Sequence, residues 1–287
     1  MEIGENKIET FGVENLSVIQ NNYNLELAVE INKDQLSFSI KNEKNEIVRI
    51  EQHEFKSDNT KQKTNKIEKI IISNKFLKQN FKTCTLILNN EFFTFVPNKM
   101  FDVNNYKKYY DFCFKQDPDN EIIFEEIKNI KSINIYSINK SLKNILLNYF
   151  PKIKIIHTCT NLINSISNKI NQYENQNILL NINKSNFQII LFHDSDLLLY
   201  NYFHYEQEED FLFYLLYISK ELKINQKNSN IYLTGNINSK STITLLIKKY
   251  FQNINFMKIN KTLKLPFFFQ NINEHTFYNL LNGHICE

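Results

Sequence analysis

LELAVEINKDQLSFSI, residues Leu25 to Ile40, reads as an apolar run, a polar turn at Asn32-Lys33-Asp34, and a second run in which Leu36, Phe38 and Ile40 alternate with polar residues. Alternation with period two sets one face of a strand against a core. A second turn at Asn42 to Asn45 leads into a strand-like run from Ile47 to Phe55, which completes a three-strand meander. NILLNINKSNFQIILF, residues Asn177 to Phe192, repeats the arrangement. It holds a strand, a turn at Asn183 to Asn186 and a strand, followed by a turn at His193 to Asp196 and a third strand from Leu197 to Tyr205.

The elements after each meander also match. After the first, Ile67, Ile70, Ile71, Phe76 and Leu77 predict a helix over Asn65–Gln79. Strands Thr83–Leu88 and Glu91–Val96 are expected to join around Asn89-Asn90, with Pro97 closing the second. A helix over Tyr106–Phe114, strands Ile122–Glu126 and Ser132–Ser137, and a helix ended by Pro151 come next. Lys152–His157 reads as a strand, and Leu162, Ile163, Ile166 and Ile170 as one more helix. After the second meander comes a helix with Glu206, Glu208, Glu209 and Asp210 in its first turn, where the helix dipole favours carboxylates. Its apolar stripe is Phe211, Leu215, Ile218 and Leu222. A strand ending Thr234-Gly235, a helix over Ser241–Phe251, a short strand Asn253–Met257 and a last helical turn or two over Thr276–Leu281 complete the chain. Strand–strand–strand–helix–strand–helix therefore occurs twice, which is the mark of a duplication. The expected division is an N-terminal arm over 1–22, a first half over 23–158 and a second half over 159–287.

Composition narrows the function classes. With 287 residues, 42% hydrophobic and 14% aromatic, the chain can bury two cores. Its net charge of +3, with Lys and Glu interspersed, lacks the basic stripe of a nucleic-acid binder. The densest basic stretch, Lys56–Lys69, also holds Asp58 and Glu68 and reads as a solvated loop entering a helix. Four dispersed cysteines, Cys84, Cys113, Cys159 and Cys286, give neither a disulfide framework nor a zinc site. Met1–Thr10 shows no signal-peptide pattern, and no apolar run approaches the ~20 residues of a membrane span. A cytoplasmic protein is expected.

The duplicated α/β unit resembles the actin-like ATPase fold, of ribonuclease H-like type, shared by actin, sugar kinases and Hsp70-type ATPases: two βββαβα halves with a mixed sheet in each. From about Ile153 onward, through Tyr232-Leu233-Thr234-Gly235, it is similar to the actin-like pilus and cell-division scaffold proteins. The opening, the Phe95-Val96-Pro97 stretch and the tail Leu280–Glu287 also resemble an uncharacterised DUF3822-like bacterial family of the same fold, typical of Bacteroidetes. In working members of the superfamily each meander opens with Asp-x-Gly, whose turn amides cradle phosphate while the aspartates handle magnesium. Only glycine lets the backbone come so close. The matching positions here are Glu30-Ile31-Asn32 and Asn181-Ile182-Asn183, without either glycine, and the adenosine-side glycine run is reduced to Gly235 before Asn236. These are vestigial cleft positions, and no catalytic, cofactor-binding or metal-binding residue carries across. Asn tolerates left-handed backbone, so Asn32 and Asn183 could keep the turn shape.

Other chemical candidates have plainer readings. His193-Asp194-Ser195-Asp196 is a turn. His204 and Glu206 lack a third ligand, and the spacing of His275 and His284 has no ligand logic. His157 and Cys159 are expected on one strand face in the core, and Phe92, Phe93 and Phe95 in a strand with core positions. Phe267-Phe268-Phe269, after Pro266, are hard to bury all at once in one loop, so part of the segment is expected to be exposed as a candidate partner-binding segment. The expected function is a non-catalytic, degenerate actin-like protein, a pseudoenzyme that binds or scaffolds a protein partner. No cofactor, nucleic acid or transmembrane segment is expected, and self-association stays open. The alternative is a divergent nucleotide-dependent phosphotransferase or ATPase that uses Glu30.

Overall fold

The computed structural model describes residues 7–14, 24–170, 176–194 and 196–285. It divides into two compact units: residues 1–161 with 260–271 and 283–287, and residues 162–259 with 272–282.

In unit 1 the meander is β2 (Glu26–Ile31), β3 (Gln35–Lys41) and β4 (Ile47–Glu54). β1 (Ile8–Gly12), in the stretch expected to be a loose arm, pairs antiparallel with β4 from Ile8 against His53 to Gly12 against Arg49. Helix α1 (Thr60–Ser73) starts five residues earlier than its apolar spacing suggests, because the Asn59 side chain caps the Gln62 N–H at 2.9 Å. Its C-terminal cap lies at Asn74, so Phe76 and Leu77 are buried in the following turn and not on the helix. β5 (Thr83–Leu88) runs parallel to both β2 and β9 (Ile153–His157), giving a six-stranded sheet in the order β1-β4-β3-β2-β5-β9.

With both edges of β5 taken, the expected hairpin with the next strand cannot form. β6 (Phe93–Pro97) belongs instead to a three-stranded sheet, β6-β8-β7, with β7 (Asn120–Ile127) and β8 (Ser132–Asn139). Helix α2 (Tyr106–Cys113) packs on it through Tyr110, against Val96, Ile133 and Ile135. This sheet is an insertion between β5 and helix α3 (Lys140–Tyr149). Phe92 lies before β6 and is exposed, not in the core. The unit's main core joins Leu27, Val29, Phe38 and Leu86 to Ile67 and Ile71 of α1 and Leu142 and Leu146 of α3.

Helix α4 (Thr158–Ile170) carries the chain into unit 2. There β10 (Gln176–Ile182), β11 (Asn186–His193), β12 (Asp196–His204), β13 (Asn230–Gly235) and β14 (Asn253–Phe256) form a sheet in the order β12-β11-β10-β13-β14. Helices α5 (Glu208–Glu221) and α6 (Thr242–Lys248) supply Phe211, Leu215, Ile243 and Ile247 to its core. At the start of α5 the Asp210 carboxylate accepts the Glu206 and Gln207 N–H groups at 3.1 and 3.0 Å, so Asp210 of the acidic run serves as a cap. The order is that of β4-β3-β2-β5-β9. Even the bulges agree, falling between Ile40 and Lys41 in one unit and between Leu191 and Phe192 in the other. Matched bulges are built features of a sheet, and their recurrence at one register shows the duplication independently of side-chain identity.

Candidate functional site

The two meander turns are closed by the same three backbone hydrogen bonds. Asn32 N–H donates to Gln35 O at 2.9 Å, and Asn183 N–H to Asn186 O at 2.9 Å. The residue after the third meander strand closes each turn from one side: Phe55 N–H donates to Asp34 O at 2.9 Å, and Tyr205 N–H to Ser185 O at 3.0 Å. The parallel strand closes the other: Asn89 N–H donates to Ile31 O at 3.0 Å, and Asn236 N–H to Ile182 O at 2.6 Å. Neither Asn32 nor Asn183 is in the left-handed region, which corrects the expectation that this tolerance of Asn preserves the turn. Backbone hydrogen bonds preserve it.

The side chains at these turns are mostly engaged inside their own unit. Asn181 is buried, and its Nδ2 donates to Gln188 Oε1 at 2.5 Å. Asn183 Nδ2 donates to Asn186 Oδ1 at 2.9 Å, and the Tyr205 hydroxyl donates to Asn183 O. In unit 1, Glu30 is a half-buried strand residue opposite Ser37 and Ile87. Asn32 Oδ1 is buried without a hydrogen-bond partner. Gly235 has φ +89°, and a Cβ there would lie 2.3 Å from Ile182 O. Its equivalent in unit 1 is Leu88, since Ile31 pairs with Leu88 and Ile182 with Gly235. The segment after Gly235 is held by the chain itself: His275 Nε2 lies 2.6 Å from Ile237 O, and the Thr234 hydroxyl donates to His275 O at 2.7 Å. Burial lowers the His275 pKa, so the ring is neutral and donates. Magnesium and phosphate need carboxylates and approachable amides. A buried amide spent on Gln188 and side-chain-bearing turns are a poor fit to that need.

A second cluster, in unit 1, escaped the sequence reading. His157 ends β9, and Cys159 lies in the first turn of α4, so the two do not share a strand as expected. His157 Nδ1 accepts the Cys159 N–H at 3.2 Å and lies 2.9 Å from Cys159 Sγ, while Nε2 donates to Asn90 O at 3.0 Å. Asn134 Nδ2 donates to Cys159 Sγ at 3.1 Å and Thr160 Oγ1 at 3.2 Å, and Glu125 Oε1 accepts the His157 N–H at 2.8 Å. Burial pushes the Cys159 thiol pKa far up and the His157 imidazole down to about 3, so both are neutral and the thiol is not a nucleophile. Asn134, His157 and Cys159 are at most 1% exposed, out of reach of any substrate. The cluster instead ties the three-stranded sheet to β9 and α4. Nothing in the one-dimensional pattern marks Asn134 or Glu125, because their partners lie on other strands.

Burial also pushes the Glu125 carboxyl up to about 7. As pH falls, His157 favours unfolding, because the unfolded ring protonates near 6.5 and the folded one does not. Glu125 acts oppositely between its unfolded value of 4.5 and about 7, where only the folded carboxyl holds a proton. Glu125→Gln removes the second contribution. Between about pH 7.5 and about pH 5 the variant should therefore lose about 2 kcal/mol more stability than the parent protein in urea titrations. Parallel pH profiles would contradict the assignment.

Of the other sequence candidates, His193 and Asp196 pair across the β11–β12 hairpin with Asp194 at φ 52°, while Ser195 lies outside the described residues. His284 is not idle: its Nε2 lies 2.8 Å from Ser39 Oγ. No group of three metal-ligating side chains occurs among the described residues. Phe267, Phe268 and Phe269 form a 3₁₀ turn in which Phe269 is buried while Phe267 is 80% and Phe268 47% exposed.

The two matched units and their sheet order define a protein of the actin-like ATPase fold. The solved structures agree. A Bacteroides thetaiotaomicron protein with actin-like ATPase fold and unknown function is 22% identical, with TM-score 0.77 over 96% of this chain and 100% of that one. The PilM–PilN type IV pilus biogenesis complex supplies a chain 9% identical, with TM-score 0.58 over 91% of this chain and 97% of that one. This chain belongs to the family described as protein of unknown function, DUF3822, whose model matches residues 14–254. No curated protein matches it. Among the described residues no helix is long and apolar enough to cross a membrane.

Proposed function

We propose that this chain is a non-catalytic member of the actin-like fold, a pseudoenzyme that acts in the cytoplasm by binding or scaffolding a protein partner. The observation that carries the reading is the pair of meander turns: both are closed by the same backbone hydrogen bonds, and in unit 2 the Asn181 and Asn183 amides are spent inside the hairpin. The Asn181 amide, where the superfamily holds a metal-binding aspartate, is buried against Gln188. Exposed Phe267 and Phe268 offer apolar surface for a partner. The similar chain from the PilM–PilN type IV pilus biogenesis complex is an example of this fold engaged with another protein, at a likeness that speaks for fold alone.

A second reading, a divergent phosphotransferase or ATPase, draws on the Glu30 carboxylate beside a turn whose Asn32 Oδ1 is unpartnered. A thermal-shift screen of the full chain against nucleotides and sugars with magnesium separates the two. The scaffold reading expects no shift with any of them. A saturable shift with one nucleotide that disappears in Glu30→Ala would favour the enzyme.

A further inference from the structure

The duplication allows one unit to be used as a template for what covers the other. In unit 1, the face of β4 beside α1 carries Arg49, Glu51 and His53, none more than 7% exposed. β1 lies along them, with Gly12, Thr10 and Ile8 opposite the three in register. Arg49 donates to Val13 O at 2.8 Å and stacks on Phe76 at 4.2 Å. The equivalent residues of β12, matched through their β3 and β11 partners, are Leu199, Asn201 and Phe203. The buried ionic trio has become an apolar pair flanking an exposed amide.

No strand lies outside β12 in the sheet among the described residues. A groove of about 380 Å³ opens instead, floored by Leu199, Asn201 and Phe203 and walled by Phe213, Tyr217 and Leu222. Phe213 is 64% and Tyr217 55% exposed, with their rings stacked 6.1 Å apart on the outer face of α5. These two are not needed by the unit's core, which takes Phe211, Leu215 and Ile218 from the same helix. Glu221 sits in the groove wall, and exposed Glu206, Glu208 and Glu209 lie where β12 ends. In unit 1, Lys7 precedes the covering strand, where the hydrogen bond and charge of Glu9, and more weakly the Glu54 charge, raise its pKa.

We infer that the β12–α5 groove is the docking site for an extended apolar segment of a protein partner, laid antiparallel along β12 in the place that β1 and Val13 hold in unit 1, with a basic residue leading it. The inference rests on the partner-binding reading and names its surface. Apolar side chains at alternate positions would fill the groove, and the leading cation would meet the acidic start of α5.

The test is selection of a random peptide library displayed on phage against the immobilised full chain. Enriched peptides should carry alternating apolar residues behind a Lys or Arg. As synthetic peptides they should bind at least about tenfold more weakly to Phe213→Ser and Tyr217→Ser. Both positions are exposed, so the variants keep the parent's circular dichroism and melting temperature. Peptides whose binding is lost in Phe267→Ser but kept in Tyr217→Ser would overturn the groove while leaving partner binding intact. Absence of any enrichment would overturn it too, as would a dimer that Tyr217→Ser dissociates, since the occupant would then be a second copy. Nucleotide turnover would instead sink the non-catalytic reading and leave the groove result standing.

Discussion

Glu51→Ala is expected to cost unit 1 about 4 kcal/mol, read as a lower urea midpoint for that unit. The carboxylate is 3% exposed. Oε1 accepts Arg49 Nε at 2.7 Å and meets Arg49 Nη2 at 2.6 Å, while Oε2 accepts Asn74 Nδ2 at 2.6 Å and lies 3.1 Å from His53 Nε2. Burial alone would raise its pKa. The hydrogen bonds from His53, Arg49 and Asn74 and the Arg49 charge outweigh burial and lower it. Truncation leaves a buried guanidinium with only Val13 O and the Phe76 ring, and orphans the Asn74 amide. A carboxyl with a lowered folded pKa stabilises above its unfolded value of 4.5 and loses that contribution as pH falls through the folded value. The gap between parent and variant should therefore narrow in acid. The equivalent change in unit 2, Asn201→Ala, is exposed and should stay within about 0.5 kcal/mol. A cost below about 1 kcal/mol for Glu51→Ala would mean that the network does not hold β1 and β4 together.

Gly235→Ala is expected to cost unit 2 about 3 kcal/mol, whether or not any ligand is present. At φ +89° an L side chain is strained, and the new methyl carbon would sit 2.3 Å from Ile182 O, 2.9 Å from Ile182 N and 3.0 Å from Asn181 Oδ1. All three atoms belong to β10, whose pairing with β13 would have to open. The one glycine left of the superfamily's adenosine-side run is thus held in place by the unit's own backbone. A variant with parental stability would show that this demand is absent, and would return the glycine to consideration as a ligand-contacting position.

The period-two runs and turn residues at Leu25–Ile40 and Asn177–Phe192 carried the architecture, because buried strands of a meander write their pattern directly into the chain. The three-stranded insertion was legible only as separate elements. Nothing local distinguishes Phe93–Pro97 pairing with Thr83–Leu88 from pairing with Ser132–Asn139 across the sequence. β1 was missed because an edge strand with Glu9, Thr10 and Gly12 has no apolar alternation. The positions of the two meander turns were legible in the sequence, but the partners of their side chains were not. That Asn181 is spent on Gln188, and that backbone bonds hold the Asn32 and Asn183 turns, depends on partners several residues or a strand away. The groove had a faint signal in Phe213 and Tyr217, four residues apart on the face of α5 opposite its core stripe.

The central claim is that the phosphate-binding chemistry of the fold is gone. It is tested most directly by titrating the full chain with ATP and magnesium in a calorimeter while following phosphate release. The account predicts no saturable heat and no phosphate above the buffer rate. Micromolar binding with turnover that Glu30→Ala abolishes would contradict it.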